Sequence, residues 1–92
     1  MVVVWSPNAE TAYFKVLEFI VECSFQKYAL SLDEEINLQI NLIVLFPNRW
    51  PKSKKTELRK AIILEDFLLI YRIQFDRIEI VDFVDTRSDH YY

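Results

Sequence analysis

The chain has 92 residues, 52% of them hydrophobic and 27% charged, with a net charge of −3, which suits one domain over residues 1–92. Glycine is absent and cysteine occurs once, which excludes Gly-rich phosphate loops, an intramolecular disulfide and a cysteine-based metal site. No apolar run of about 18 residues and no secretion signal are present, so we expect a cytoplasmic protein that does not enter a membrane.

The first half of the chain predicts a strand followed by two helices. The β-branched run VVVW, residues 2–5, is typical of a strand. Ser6-Pro7 then supplies the N-cap and first position of a helix over residues 7 to about 24, where apolar residues recur at spacings of three and four. A second helix is predicted from about Tyr28 to Leu45. Because only a few residues join the two helices, we expect an antiparallel hairpin.

Two local expectations follow from the lone cysteine and the missing glycine. Cys23 continues the apolar spacing of the first helix, which favours a buried small side chain over a reactive thiol. Turns must form without glycine, and we expect left-handed backbone at Asn48, Asp66 and Asp76, since Asn and Asp tolerate it better than other residues.

The charge is concentrated in residues 49–60, called the basic segment below. It holds six basic residues against Glu57, a net charge of +5, whereas the remainder carries 5 basic and 13 acidic residues, a net charge of −8. Such a segment predicts an anion-binding or target-binding face, although lysines also keep loops soluble. Trp50 within it either stacks on a base or caps the core. The candidate binding residues are Arg49, Lys52, Lys54, Lys55, Arg59 and Lys60.

Three strand-like runs follow: LRKAIIL, FLLIYRI and RIEIVDFV, separated by connections short enough for hairpins. The middle run, Phe67 to Ile73, is almost continuously apolar, which predicts a central strand covered on both faces. The last run loses its alternation near Ile80, where we expect a bulge. The predicted fold class is α+β: an N-terminal strand, an antiparallel helical hairpin and a three-stranded antiparallel meander, with the hairpin on one face of the sheet.

Five motifs occur in order along the chain: VWSPNAE, LIVLFPNRWP, ELRKAII, LLIYRI and IEIVDFVDTRSD. Together they span nearly the whole chain and resemble the RelE/ParE superfamily, the toxins of type II toxin–antitoxin systems. The resemblance implies a RelE/ParE-like fold and a bacterial stress-response protein that inhibits growth without a cofactor. It also implies a cognate antitoxin that binds and neutralises the toxin, so that the two can form a hetero-oligomer.

The superfamily divides by target, since some members cut mRNA on the ribosome and others bind DNA gyrase without cutting. Metal-independent RNA cleavage needs a base for the ribose 2′-OH, an acid for the leaving 5′-oxygen and cationic donors on the phosphate. Ribonucleolytic relatives carry an Arg in the third strand and often another basic residue in the second. The resemblance places Leu68 at the first position and Ile63 or Leu64 at the second. The cations of a ribonuclease site are therefore missing there.

The terminal cluster, residues 85–92, is the remaining candidate catalytic site. It resembles a terminal Arg-x-His-Tyr, with one more residue between the Arg and the His. In that interpretation Arg87 grips a phosphate, His90 acts as acid or base, and Tyr91 stacks on a base or gives a proton. The alternative is that Asp85 pairs with Arg87, while His90 and the tyrosines pack as a lid or extend into solvent.

Three functions are open at this point. The favoured one is a toxin that binds a cellular target, as gyrase inhibitors do, because a chain with a net charge of −8 outside the basic segment suits a ribosomal surface poorly. The second is a metal-independent mRNA endonuclease on the ribosome that uses Arg87, His90 and Tyr91. The third is a degenerate toxin that keeps only the fold and antitoxin binding.

Overall fold

The computed structural model describes residues 1–87, and its elements follow the predicted order. The elements are β1 (Val2–Trp5), α1 (Pro7–Glu22), α2 (Gln26–Leu45), β2 (Arg59–Ile63), β3 (Phe67–Ile73) and β4 (Arg77–Asp85). The predicted α+β arrangement of a strand, a helical hairpin and a meander is therefore confirmed. Helix α1 ends two residues earlier than predicted, and α2 begins two residues earlier.

The four strands form one sheet in the order β1-β4-β3-β2. Strand β1 is parallel to β4, whereas β4, β3 and β2 are antiparallel neighbours. The predicted bulge is confirmed: Ile70 pairs with Asp82 but Tyr71 pairs with Ile80, so Val81 is the extra residue in β4. Strands β3 and β4 are central, and β1 and β2 lie at the two edges.

Ser6 joins the bulge to the start of α1. Its backbone N–H donates to the Ile80 carbonyl at 2.9 Å, and its hydroxyl donates to the Val81 carbonyl at 2.9 Å. The same hydroxyl accepts the N–H of Ala9 at 3.0 Å, which is the N-cap bond expected of this residue type. One side chain therefore satisfies the bulge carbonyl and fixes where α1 begins on the sheet.

Both helices pack on one face of the sheet. The Phe83 ring lies there between Tyr13 of α1, with ring centroids 5.2 Å apart, and Phe67 of β3, at 5.4 Å. The Tyr13 hydroxyl also donates to Asp33 of α2 at 2.6 Å, which ties the two helices together. The buried residues of this layer are Ala9, Tyr13, Ile20, Ala29, Leu32, Ile36, Ile43, Ala61, Ile63, Phe67, Leu69, Tyr71, Ile78, Ile80 and Phe83.

The prediction that β3 is covered on both faces is wrong for the face opposite the helices. There Leu68 is only half-buried and Arg72 is exposed. Ile70 is buried because its neighbours in register are Lys60 and Asp82, whose side chains flank it on the adjacent strands. Two helices cover one face of a four-stranded sheet, and the described chain supplies no second layer.

The left-handed turn positions were predicted at the wrong residues. Positive φ angles occur at Ser24 (64°), Leu64 (49°) and Glu65 (67°), and not at Asn48, Asp66 or Asp76. The pairing of Ile63 with Phe67 leaves three residues to reverse the chain. At the β2–β3 turn, strand register and not residue preference therefore decides where the left-handed backbone falls, whereas Ser24 lies between α1 and α2.

Candidate functional site

The face of the sheet opposite the helices, called the open face below, carries an apolar row across its three antiparallel strands. Ile62 of β2 pairs with Leu68 of β3, which pairs with Val84 of β4. Ile62 is 51% exposed, and Leu68 and Val84 are half-buried. These three residues, called the apolar row, lie on a surface that no other element of residues 1–87 covers.

One residue of the apolar row lies at a position where the resemblance expects a cation in a ribonuclease. Leu68, matched to the third-strand Arg, lies at the centre of the row. The suggested second-strand positions do not lie on this face, because Ile63 is fully buried under the helices and Leu64 belongs to the turn. The residue opposite Leu68 is instead Ile62. The motif resemblance missed it because the sequence alone does not show which residues of β2 lie on the open face.

The cations that do lie on β3 and β4 are held by neighbouring polar groups. Arg72 forms an ion pair with Glu79, with Nε 2.6 Å from Oε1. The guanidinium of Arg77 donates to Gln74 at 3.1 Å and lies 3.8 Å from the Asp76 carboxylate. Neither cation lies in the apolar row, so the open face offers no arginine beside Leu68 for a phosphate.

Arg87 is paired with Asp85, as one of the two interpretations of the terminal cluster predicted. Its Nε and Nη2 donate to the two Asp85 carboxylate oxygens at 3.0 and 2.9 Å, and its backbone N–H donates to Oδ1 at 2.9 Å. These bonds hold the pKa of Asp85 below its usual value. The guanidinium also lies 5.4 Å from the centre of the Phe67 ring. His90 and Tyr91, the other predicted catalytic residues, lie outside the described residues.

Arg87 also lines a cavity of about 370 Å³ where α1 and α2 meet. Its other walls are apolar or aromatic: Phe19, Ile20, Cys23, Phe25 and Tyr28. Burial is the main cause that raises the pKa of Tyr28, followed by the carboxylate of Asp66.

Cys23 is exposed at this cavity, so its predicted burial is wrong. Helix α1 ends at Glu22, and Cys23 is its C-cap residue, whose N–H donates to the Phe19 carbonyl at 3.1 Å. The early end of α1 removes Cys23 from the buried helix face on which the apolar spacing had placed it.

Arg59 of the basic segment has a structural role. Its guanidinium donates to the Trp50 carbonyl at 2.5 Å and to the Asn48 side chain at 3.0 Å. The Tyr71 hydroxyl donates to the Pro47 carbonyl at 3.0 Å, which fixes the same loop from β3. Arg59 is therefore half-buried against its own loop, and its role in target binding stays a prediction.

Trp50 caps the core, which was one of its two predicted roles. Its ring is half-buried and packs against the core cluster, with Nε1 buried and unpartnered among residues 1–87. The guanidinium of Arg49 lies 5.8 Å from the ring centroid. The ring is thus anchored on the core, with Arg49 beside it.

The remaining cations of the basic segment lie on the surface. The Lys52 ammonium lies 3.3 Å from the Glu57 carboxylate. The Lys52 backbone also forms a single antiparallel β-bridge with the Arg59 backbone. Lys52 and Lys60 line a depression of about 240 Å³. Lys54 and Lys55 are exposed on the loop beyond it. The structure thus brings Lys52 and Lys60 together at this depression, while Lys54 and Lys55 lie in the exposed loop between them in sequence.

Metal-binding and membrane-spanning features are absent from residues 1–87. No group of three or more His, Cys, Asp or Glu side chains in this range could hold a metal ion. Neither helix is both long enough and apolar enough to cross a membrane.

The comparisons with known proteins find a structural relative but no sequence relative. No protein-family model matches the chain, and no curated protein matches its sequence. A chain of the solved structure "Chromosomal ParDE TA system from P. aeruginosa" superposes with a TM-score of 0.75, covering 92% of this chain and 95% of that chain at 17% identity. The fold that the five motifs implied is therefore confirmed.

Proposed function

We propose that this chain, which has a RelE/ParE-like fold, is the toxin of a type II toxin–antitoxin module. It inhibits bacterial growth by binding a protein target of the gyrase kind and is neutralised by a cognate antitoxin in the cytoplasm. The fold is shared with a chain of a ParDE toxin–antitoxin structure, although 17% identity does not carry a target or a partner across. The choice between binding and cleavage depends on the open face.

The apolar row is the observation that favours binding over cleavage. A metal-independent ribonuclease needs cations where the phosphate gains negative charge. Leu68 and Ile62 supply none, and burying a phosphate against them would leave its charge unpaired. An exposed apolar row flanked by charged residues is instead the composition of a protein-binding surface.

Arg87 supports the same conclusion. Its Nε and Nη2 are already engaged by the two oxygens of Asp85, so part of its charge is neutralised and fewer donors remain for a phosphate. A catalytic role for Arg87, His90 and Tyr91 is the rival proposal, in which a phosphate would bind the guanidinium donors that Asp85 leaves open or would displace Asp85.

The basic segment is the proposed docking surface for the target. In this proposal Lys52 and Lys60, which line one depression, act with the exposed Lys54 and Lys55 as a cationic patch on a chain whose remainder is acidic. Such a patch orients the chain toward an acidic region of a protein and speeds encounter. Arg49 adds a cation at the edge of the patch beside Trp50.

Inducible expression in a bacterial host tests the proposal. DNA and protein synthesis are followed by pulse labelling, and mRNA 5′ ends are mapped at the same times. We expect DNA synthesis to stop first while mRNA stays intact, and His90→Ala to remain toxic. Cuts inside coding regions that disappear with His90→Ala would overturn the proposal in favour of the endonuclease, and no growth defect would favour the degenerate toxin.

A charge-reversal pair tests the docking surface. Lys54→Glu with Lys55→Glu should weaken inhibition of gyrase supercoiling by about tenfold or more, because two attractive contacts become repulsive. The matched control is Lys15→Glu with Lys27→Glu, which changes the net charge equally at exposed positions on the helices. Equal losses in both variants would show that net charge, and not the basic segment, governs binding.

A further inference from the structure

Strand β1 forms an edge of the sheet that carries no charge. Among residues 1–87, its four residues, Val2–Trp5, pair only with β4, so no described strand pairs with its other side. Val2 is 66% exposed and Val4 is 38% exposed, both on the open face. Edge strands are usually protected against pairing by being short or by carrying lysine, proline or a bulge; β1 is short, at four residues, but carries no lysine, proline or bulge.

The backbone groups that point away from the sheet can be identified. In a parallel pair, alternate residues direct their N–H and C=O groups toward the partner strand. The N–H of Ser6 donates to the Ile80 carbonyl of β4. Because the direction alternates along the strand, the N–H and C=O groups of Val4 and Val2, two and four residues earlier, also point toward β4. The N–H and C=O groups of Val3 and Trp5 therefore point outward, and they have no hydrogen-bond partner among residues 1–87.

These four outward groups are arranged symmetrically about Val4. We infer that β1 pairs antiparallel with β1 of a second copy of this chain, with Val4 on the twofold axis. Val3 then lies opposite Trp5 of the second copy, and Trp5 lies opposite its Val3. Each of these two pairs exchanges two hydrogen bonds, because the residues of a hydrogen-bonded antiparallel pair donate and accept to each other.

The occupant is a second copy because the edge is complementary to itself. Pairing places no like charges opposite one another, and the valines are well suited to a strand. The edge at β2 is less suited to pairing, because it carries charges and is partly covered. It carries Arg59 and Lys60, and the Lys52–Arg59 bridge with the bond from Ser53 N–H to the Leu58 carbonyl covers part of it. The β1 pairing yields a continuous eight-stranded sheet with both helical hairpins on the same face.

Engineered cysteines test this register. In a Cys23→Ser background, Val4→Cys places two thiols on the twofold axis in a non-hydrogen-bonded pair, with Cβ atoms about 4.5–5.5 Å apart, close enough for a disulfide after small shifts. Val2→Cys is the matched control, because its thiols would be four residues out of register, about 13 Å apart. We expect a covalent dimer on mild oxidation for Val4→Cys and monomer for Val2→Cys. Equal cross-linking of the two variants would overturn the inference.

Sedimentation equilibrium gives a second, independent measurement. Val4→Lys puts like charges directly opposite each other and should raise the dimer dissociation constant about tenfold, whereas Val2→Lys should leave it nearly unchanged. A wild-type chain that stays monomeric at all concentrations would overturn the inference. Because both experiments measure association alone, their failure would leave the proposed toxin function untouched.

Discussion

At the scale of single residues, the structure departs from intrinsic preference most clearly at the β2–β3 turn. Leu64 and Glu65 both take left-handed backbone, although neither residue type favours it, while Asp66 does not. Asp66 is held instead by Thr86, whose N–H and hydroxyl both donate to its carbonyl at 2.8 and 2.9 Å. The turn is therefore fixed by strand register and by the end of β4, at a cost in backbone strain.

That strain predicts a stabilising substitution. Glu65 is exposed and has φ of 67°, where a side chain costs about 1–2 kcal/mol and glycine costs nothing. After the added entropy of the unfolded chain is subtracted, Glu65→Gly should raise the free energy of unfolding by about 0.5–1 kcal/mol in urea titrations. Asp66→Gly is the control and should destabilise, since Asp66 has no positive φ to relieve. Loss of stability in both variants would contradict the argument.

At the scale of elements, the runs of apolar residues predicted every helix and strand, but not their junctions. Periodicity reports which stretch forms an element, whereas the residue at which it stops depends on neighbours distant in sequence. Cys23 was assigned to a buried face because α1 was extended past Glu22. The apolar row was missed for a related reason: choosing between Ile62 and Ile63 as the residue on the open face requires the β2–β3 register.

The junction between β1 and α1 depends on the side chain of Ser6. Its hydroxyl caps α1 through Ala9 and satisfies the Val81 carbonyl in the bulge. Ser6→Ala removes both bonds and should lower the free energy of unfolding by about 2 kcal/mol, more than the roughly 1 kcal/mol typical of losing a cap alone. Thermal and urea unfolding measure this loss. Ser6→Thr keeps the hydroxyl and should retain most of the wild-type stability. A Ser6→Thr variant as unstable as Ser6→Ala would show that the two hydroxyl bonds are not the source of the lost stability.

At the scale of the whole molecule, three tyrosines have a pKa above the usual value, and two of them join distant elements. Burial is the main cause that raises the pKa of Tyr13 in α1, Tyr28 in α2 and Tyr71 in β3. The Tyr13 hydroxyl donates to Asp33 and the Tyr71 hydroxyl to the Pro47 carbonyl, so each holds a contact that an ionised phenolate cannot make. The layers of the fold are thus linked through groups that must stay protonated.

The fold should therefore lose stability in alkali. A group whose pKa is higher in the folded state stabilises the fold fully below its unfolded pKa, near 10 for tyrosine, and loses that contribution as the pH rises toward the folded value. Above pH 10 the unfolded chain binds fewer protons than the folded chain, so the free energy of unfolding should fall, by up to about 1.4 kcal/mol per pH unit for each of the buried Tyr13 and Tyr71 and by less for the partly exposed Tyr28. Urea unfolding at pH 7, 9, 10.5 and 11.5 measures the slope.

The Tyr13→Phe variant lacks one of the three phenol groups. It should be less stable than wild type at pH 7, because the bond to Asp33 is lost, but its free energy of unfolding should fall less steeply above pH 10. A wild-type stability that does not change between pH 9 and 11.5 would mean that these hydroxyls titrate as they do in water, and that the links between layers do not depend on their protons.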